Sequence, residues 1–277
     1  MQFYEYLADL EAKCKVFAIA TIVSASENSP GRQSFKMCVT EDGKIVGSIG
    51  GGGLEFKARN TALEMMRTGE RTRLEEYHLN QTPQGIGMAC GGDAQVLIEV
   101  IKPHERLFIF GGGHIGSALT RYATDTGFDV TVIDDREDYS KPEVHPMATS
   151  TVTCKYKELD TIEFPQNAYF VIVTHQHIGD ENCLRALLSR ADLNPKYIGL
   201  IGSSKKLATV FRHLLDDGFS REQLEFVHAP IGIDHGGQSA NEIAISIATE
   251  IISVRYGKTL ADGMSLKKHP LMVMDNQ

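Results

Sequence analysis

No two cysteines stand two residues apart in this sequence, no apolar run reaches the length of a membrane span, and positive charge is in deficit. The five cysteines, Cys14, Cys38, Cys90, Cys154 and Cys183, are odd in number and widely scattered, which argues against a disulfide scaffold and against a cysteine zinc site. Any cysteine chemistry therefore comes from single thiols. The longest apolar stretch, Val16 to Val23 with one threonine, falls well short of the roughly 20 residues that cross a bilayer. The N-terminus carries Glu5, Asp9 and Glu11 and lacks the basic-then-apolar order of a secretory leader, so a cytoplasmic protein with no membrane association is expected. With 28 basic and 36 acidic residues the net charge of −8 offers no general attraction to nucleic acid or anionic lipid. Small molecules and other proteins are the expected partners. Internal repeats and low-complexity tracts are missing as well.

What is present divides into two patterns. A length of 277 residues suggests two domains on a prior of about 150 residues each. Residues 1–102 read as a small mixed α/β domain. Phe3, Leu7 and Leu10 mark a short helix; "KVFAIATIV" and "SFKMCVT" are strand-like, and "EDGK" turns the second into "IVGSI". After the glycines Gly50 to Gly53, the residues Leu54, Ala58, Ala62 and Met66 share a helical face that Gly69 ends. "RTRLEEYHL" and "DAQVLIEVI" supply two further strands around "GIGMACGG", and Lys102 and Pro103 look like a linker. Over residues 103–258 strands alternate with helices: "LFIF", "DVTVID", "STVTC", "YFVIVT" and "YIGLI" against helical faces through Leu119, Leu184, Leu207 and Ile247. The last helix opens with Ser239 and Glu242 spaced as a capping box. Such alternation predicts a Rossmann-like parallel sheet covered on both sides. Residues 259–277 form a tail with no readable pattern.

The chemistry concentrates at strand ends. Gly111-x-Gly113-x-x-Gly116, with His114 and Ile115 between, follows a strand and opens a helix, the arrangement that brings a phosphate to the helix's positive end. Asp134 and Asp135 end the next strand about 20 residues later, where an acid meets a ribose hydroxyl, and no basic residue replaces the first acid as a 2′-phosphate would require. His175, His177 and Asp180 follow the fourth strand, placed for ligand contact, proton transfer or, with His235, part of a metal site for which no ligand set of fixed spacing is complete. "GSSKK" sets Ser203 and Lys205 at a helix start, as a second anion site or as cap and solvated cation. Gly51, Gly52 and Gly53 form a further candidate nest. Cys90, followed by Gly91 and Gly92, has backbone amides beside it that stabilise a thiolate; a buried cysteine, however, is more often a small hydrophobe.

Taken together, "SPGRQSFKMCV", "GSIGGGGLE", "GMACGG", "FGGGHIG", "DDR", "VTHQH", "YIGLIGSSKK" and "HAPIGID" with "EIAISIATEI" resemble the XdhC/CoxI family from Phe17 to Gly257. These are accessory proteins of xanthine dehydrogenase and related molybdenum hydroxylases. The resemblance implies a chaperone, not an enzyme. It would bind molybdenum cofactor (molybdopterin or its dinucleotide), protect it while a cysteine desulfurase adds the terminal sulfido ligand, and insert it into the apo-hydroxylase. Family members commonly carry cysteine at the end of the glycine loop where this chain has Gly53, so Cys90 is the only motif cysteine. On this reading Gly111, Gly113 and Gly116 hold phosphate, Asp134 meets a sugar or pterin donor, Cys90 lies near molybdenum or sulfur, the anion-binding loops converge between domains, and a homodimer is expected. Two alternatives stand beside it: an NAD-dependent oxidoreductase with His175 as acid/base, and a metal-dependent hydrolase using His175, His177 and Asp180.

Overall fold

Residues 2–26, 31–79, 92–258, 271 and 274 are described by a computed structural model. They form two compact units, Met1–Pro103 and His104–Gln277.

Strict alternation along β1 (Phe17–Ala25) organises the first unit. Ala18, Ala20 and Ile22 face one side of the sheet, while Phe17 and Ile19 face the other. β1 is central in an antiparallel sheet with β2 (Lys36–Thr40), β3 (Ile45–Gly47), β4 (Thr72–His78) and β5 (Asp93–Ile101), in the order β3-β2-β1-β5-β4. The first face packs on α2 (Gly52–Thr68) through Leu54, Ala58, Ala62 and Met65; the buried methionine is Met65, with Met66 only packed against the cluster. The second face packs on α1 (Phe3–Ala12) through Leu7 and Leu10. Each fully buried Leu or Ile side chain contributes about 1.5–3 kcal/mol, so burial against the sheet stabilises both helices.

In the second unit six strands run parallel in the order β11-β10-β9-β6-β7-β8. They are β6 (Glu105–Phe110), β7 (Phe128–Asp134), β8 (Ser150–Thr153), β9 (Tyr169–Ile172), β10 (Tyr197–Leu200) and β11 (Val227–His228). Leu107 and Ile109 face α3 (His114–Asp125) and α7 (Ala240–Arg255). Phe108 and Phe110 face α4 (His177–Leu188) and α5 (Ser204–Asp216), where Phe164 meets Phe108, Phe110 and Phe170 edge-on. Both faces are buried, as a parallel sheet requires. The two-residue strand β11 and the short α6 (Arg221–Glu225), capped by Ser220, carry too little periodicity to be read from sequence. Within the tail, Leu271 is buried in the same core as Phe170 and Met274 packs against it.

The chain lays β7 and β8 to one side of β6 and then returns to lay β9, β10 and β11 on the other. That reversal opens a crevice beyond the carboxyl ends of β6 and β9, the place where doubly wound sheets receive ligands.

Candidate functional site

Only three residues separate the end of β6 at Phe110 from the start of α3 at His114. Gly111 sits at φ +113°, and a Cβ there would lie 2.4 Å from the Val173 carbonyl oxygen after β9. A Cβ on Gly112 would meet the Tyr139 carbonyl oxygen at 1.9 Å, and one on Gly116 the Gly111 carbonyl oxygen at 1.9 Å. Gly113 differs: its φ is −69° and nothing lies within 4 Å of its Cβ position. Three glycines are thus required by the protein's own packing, and the fourth opens onto space at a helix start, where first-turn amides point outward. His114 is exposed on the same turn, beside a cleft of about 330 Å³ with Arg121 and Met147, while Ile115 packs into the core.

Asp134 is fully buried, and its oxygens are engaged within the chain. Oδ2 accepts hydrogen bonds from the Gly112 amide (2.8 Å) and from Arg136 Nη2 (2.9 Å); Oδ1 accepts from the Arg136 amide and Nε, both at 2.9 Å. Burial works against its charge, but Arg136 and the two amides outweigh that penalty and hold the carboxyl below its ordinary value. The expectation that Asp134 meets a sugar or pterin donor is therefore corrected. Its carboxylate is committed to the turn, because the arginine two residues later folds back as a fork onto it. The arginine of the "DDR" run was the available signal.

Asp135 is the partly exposed acid, with His175 Nδ1 3.8 Å from its Oδ1. Oδ1 is buried and, among the described residues, accepts no hydrogen bond. His177 opens α4 on the surface, 3.7 Å from Asp180. Asp180 is buried with its carboxyl raised by desolvation, and it accepts from Thr174 Oγ1 at 2.6 Å. His235 bonds instead to its own loop and to Glu242. The alternative metal grouping of His175, His177 and Asp180 is therefore not assembled among the described residues. Asp134, Asp135 and His175 approach within 4.8 Å of one another, but Arg136 already neutralises Asp134.

The glycine loop of the first unit holds an anion of its own. Glu55 Oε1 accepts from the Ile49 amide (3.1 Å), the Gly51 amide (2.9 Å) and Ser48 Oγ (2.6 Å), so part of the nest expected around Gly51, Gly52 and Gly53 is filled from the helix they open. Ser203 caps α5 without a side-chain bond and lines a cleft of about 320 Å³ with Gly202, Gly232 and His235; Lys205 is exposed nearby on the same helix.

The chain matches the XdhC Rossmann domain over residues 107–251, which contain this turn and both acids, and the XdhC and CoxI family over residues 11–78. It belongs to the XdhC family. It is 29% identical over 273 residues to the uncharacterized protein YqeB of Escherichia coli, covering 98% of this chain and 49% of that protein. It is 31% identical over 161 residues to a probable xanthine dehydrogenase subunit of Bacillus subtilis, covering 58% of this chain and 46% of that one. To the molybdenum cofactor insertion chaperone PaoD of Escherichia coli it is 24% identical over 287 residues, covering 86% and 83%. The chain spans about half the length of the first two relatives.

In this XdhC-family chain Cys90 and Gly91 lie outside the described residues, and Gly92, at φ +90°, leads into β5. Burial pushes the thiol of Cys38 up to about 11 and also raises those of Cys154 and Cys183. These three are held as protonated thiols at neutral pH. Sequence reasoning also missed Glu250, buried on α7, which accepts from Tyr197 Oη (2.5 Å) and the Gly232 amide (2.9 Å) and pairs with His228 Nδ1 (3.1 Å). Its place among Ala244, Ile247 and Ile251, one turn after Ser246 on the buried side of α7, was the available signal. No described helix is long and apolar enough to cross a membrane.

Proposed function

We propose that this chain binds molybdenum cofactor through its phosphate and passes it to a xanthine dehydrogenase-type molybdenum hydroxylase, protecting it while a cysteine desulfurase supplies sulfur. The observation that carries this reading is the contrast inside the glycine turn. Gly113 and the first turn of α3 open onto the crevice, while the acid that would clamp a ribose is bonded to Gly112 and Arg136. A site of this kind favours a phosphorylated guest without the usual adenosine grip. That suits cargo meant for release. Likeness to a chaperone named for molybdenum cofactor insertion supports the same reading.

In this proposal Gly111 and Gly116 set the turn, Gly113 admits the phosphate, Asp135 and His175 touch the guest, and Cys90 stands near the molybdenum or the transferred sulfur as a soft ligand. Ser203 and Lys205 offer a second anion contact, and a homodimer presents the paired surface that cofactor transfer needs. The chain is a cytoplasmic carrier on this view.

The test is molybdenum and molybdopterin content of the chain co-produced with the cofactor. Stoichiometric cofactor in the wild type, a large loss in Gly113→Ala, and activation of apo-hydroxylase by the loaded chain are the expected results; purified chain free of molybdopterin would remove the proposal.

A further inference from the structure

Native sheets blunt their edges by keeping the outermost strands short or by interrupting them with proline or a bulge, because an open edge invites another strand. Among the described residues three of the four sheet edges follow this rule: β3 has three residues, β8 four and β11 two. β4 does not. Its seven residues, Thr72–His78, keep an unbroken register against β5 and include neither proline nor glycine. Thr72, Leu74, Glu76 and His78 are exposed, and Leu74, at 58%, extends a line from the half-buried Leu97 opposite it on β5.

The backbone of β4 is half spent. The Arg71 carbonyl accepts from the Val100 amide at 2.8 Å and the Leu79 amide donates to the Gly92 carbonyl at 2.7 Å, so the odd-numbered residues between them bond to β5. Thr72, Leu74 and Glu76 turn their amides and carbonyls outward. Two copies related by a twofold axis normal to the sheet pair such an edge antiparallel, and the side chains then choose the register. An axis at Arg73, Glu75 or Glu76 sets that residue against its own copy, like charge on like charge. An axis at Leu74 sets leucine on leucine, Thr72 on Glu76, and Arg73 on Glu75 twice. Arg73 and Glu75 share the α2 side with the buried Tyr77, and Arg73 pairs there with Glu64 and Glu70. Glu75 touches Arg73 of its own strand only at 3.5 Å, which leaves its carboxylate open to a second guanidinium.

From this match of backbone and charge we infer that β4 pairs antiparallel with β4 of a second copy of this chain about an axis at Leu74, joining the two five-stranded sheets into one. The inference rests on the homodimer in the reading above and gives it a surface. It requires no cofactor.

The test is sedimentation equilibrium of the full chain at micromolar concentration. The wild type is expected at twice 30.5 kDa, and Leu74→Lys, which sets two ammonium groups together at the axis, is expected to raise the dimer dissociation constant by about tenfold or more. Register is read by cross-linking with oxidised glutathione. Leu74→Cys places two thiols on residues about 5.5 Å apart, within disulfide reach, and should give a covalent dimer above the wild-type background. Glu76→Cys, whose two copies stand more than about 13 Å apart along the strands, should not. A monomeric wild type, a dimer that Leu74→Lys leaves unchanged, or cross-linking of Glu76→Cys ahead of Leu74→Cys would each overturn the inference. Should Leu74→Lys fail to fold, the two cysteine variants decide. Molybdopterin is measured separately: a dimer indifferent to Leu74→Lys keeps the homodimer of the proposed function and loses this interface, and a β4-paired dimer free of molybdopterin keeps the interface and loses the cofactor reading.

Discussion

The amide of Gly112 donates to the carboxylate of Asp134 across 2.8 Å, tying the turn after one strand to the end of its neighbour 22 residues later. That single bond couples the fold's stability to the shape of the candidate site. Arg136 completes the arrangement by gripping the same carboxylate.

Asp134→Ala should therefore destabilise the chain by about 2–4 kcal/mol, because it removes a buried ion pair and leaves the Gly112 amide without its acceptor. Urea unfolding read by circular dichroism measures this. A variant as stable as the wild type would show that the turn holds its form without the acid.

A pH dependence follows from the same carboxyl, whose value in the folded chain lies below that in the unfolded chain. Its contribution is present above about pH 4, the unfolded carboxylate range, and is lost as pH falls through the lower folded value. Acid unfolding of Asp134→Asn should show a correspondingly shallower loss of stability below pH 4 than the wild type does.

The glycines separate folding from binding. Gly112→Ala and Gly116→Ala place a methyl 1.9 Å from a backbone oxygen and should cost about 1–3 kcal/mol or prevent folding. Gly113→Ala meets open space at an ordinary φ and should keep wild-type thermal stability while binding less molybdopterin. Thermal melts beside cofactor content distinguish the two behaviours.

Thiol labelling tests the assignment of Cys90. Cys38, Cys154 and Cys183 have raised thiol values, so alkylation at pH 7 should be slow at each in the folded chain. Mass spectrometry after brief iodoacetamide treatment should find modification at Cys90 ahead of these three. Rapid labelling of Cys183 would contradict its burial.

Glu250→Ala should lower stability by about 3 kcal/mol, since Tyr197, His228 and the Gly232 amide all lose their acceptor. The Gly232 loop borders the cleft that Ser203 lines, so proteolysis in that loop should speed up together with the fall in urea midpoint.

Much of the fold was legible because it rests on local chemistry. The alternation of Leu107 and Ile109 with Phe108 and Phe110 marks a strand buried on both faces, and the spacing of Gly111, Gly113 and Gly116 marks a strand-to-helix turn. The capping box of Ser239 and Glu242 set the start of α7 as the residues foretold. The site was less legible. Asp134 and Asp135 are adjacent and chemically identical, yet one is sealed against Arg136 and the other borders a cavity. Nothing in the strand pattern tells them apart, because alternation fixes only which side each faces.

By itself the sequence determined the periodicities, the turns that only glycine can make and the helix starts, since each depends on residues within one or two turns of chain. Only the tertiary structure decided that Glu55 fills its own glycine nest and that His175 turns toward Asp135 and away from a grouping with His177 and Asp180. A charge takes whichever partner folding brings within a few ångströms, and burial sets how strongly it needs one.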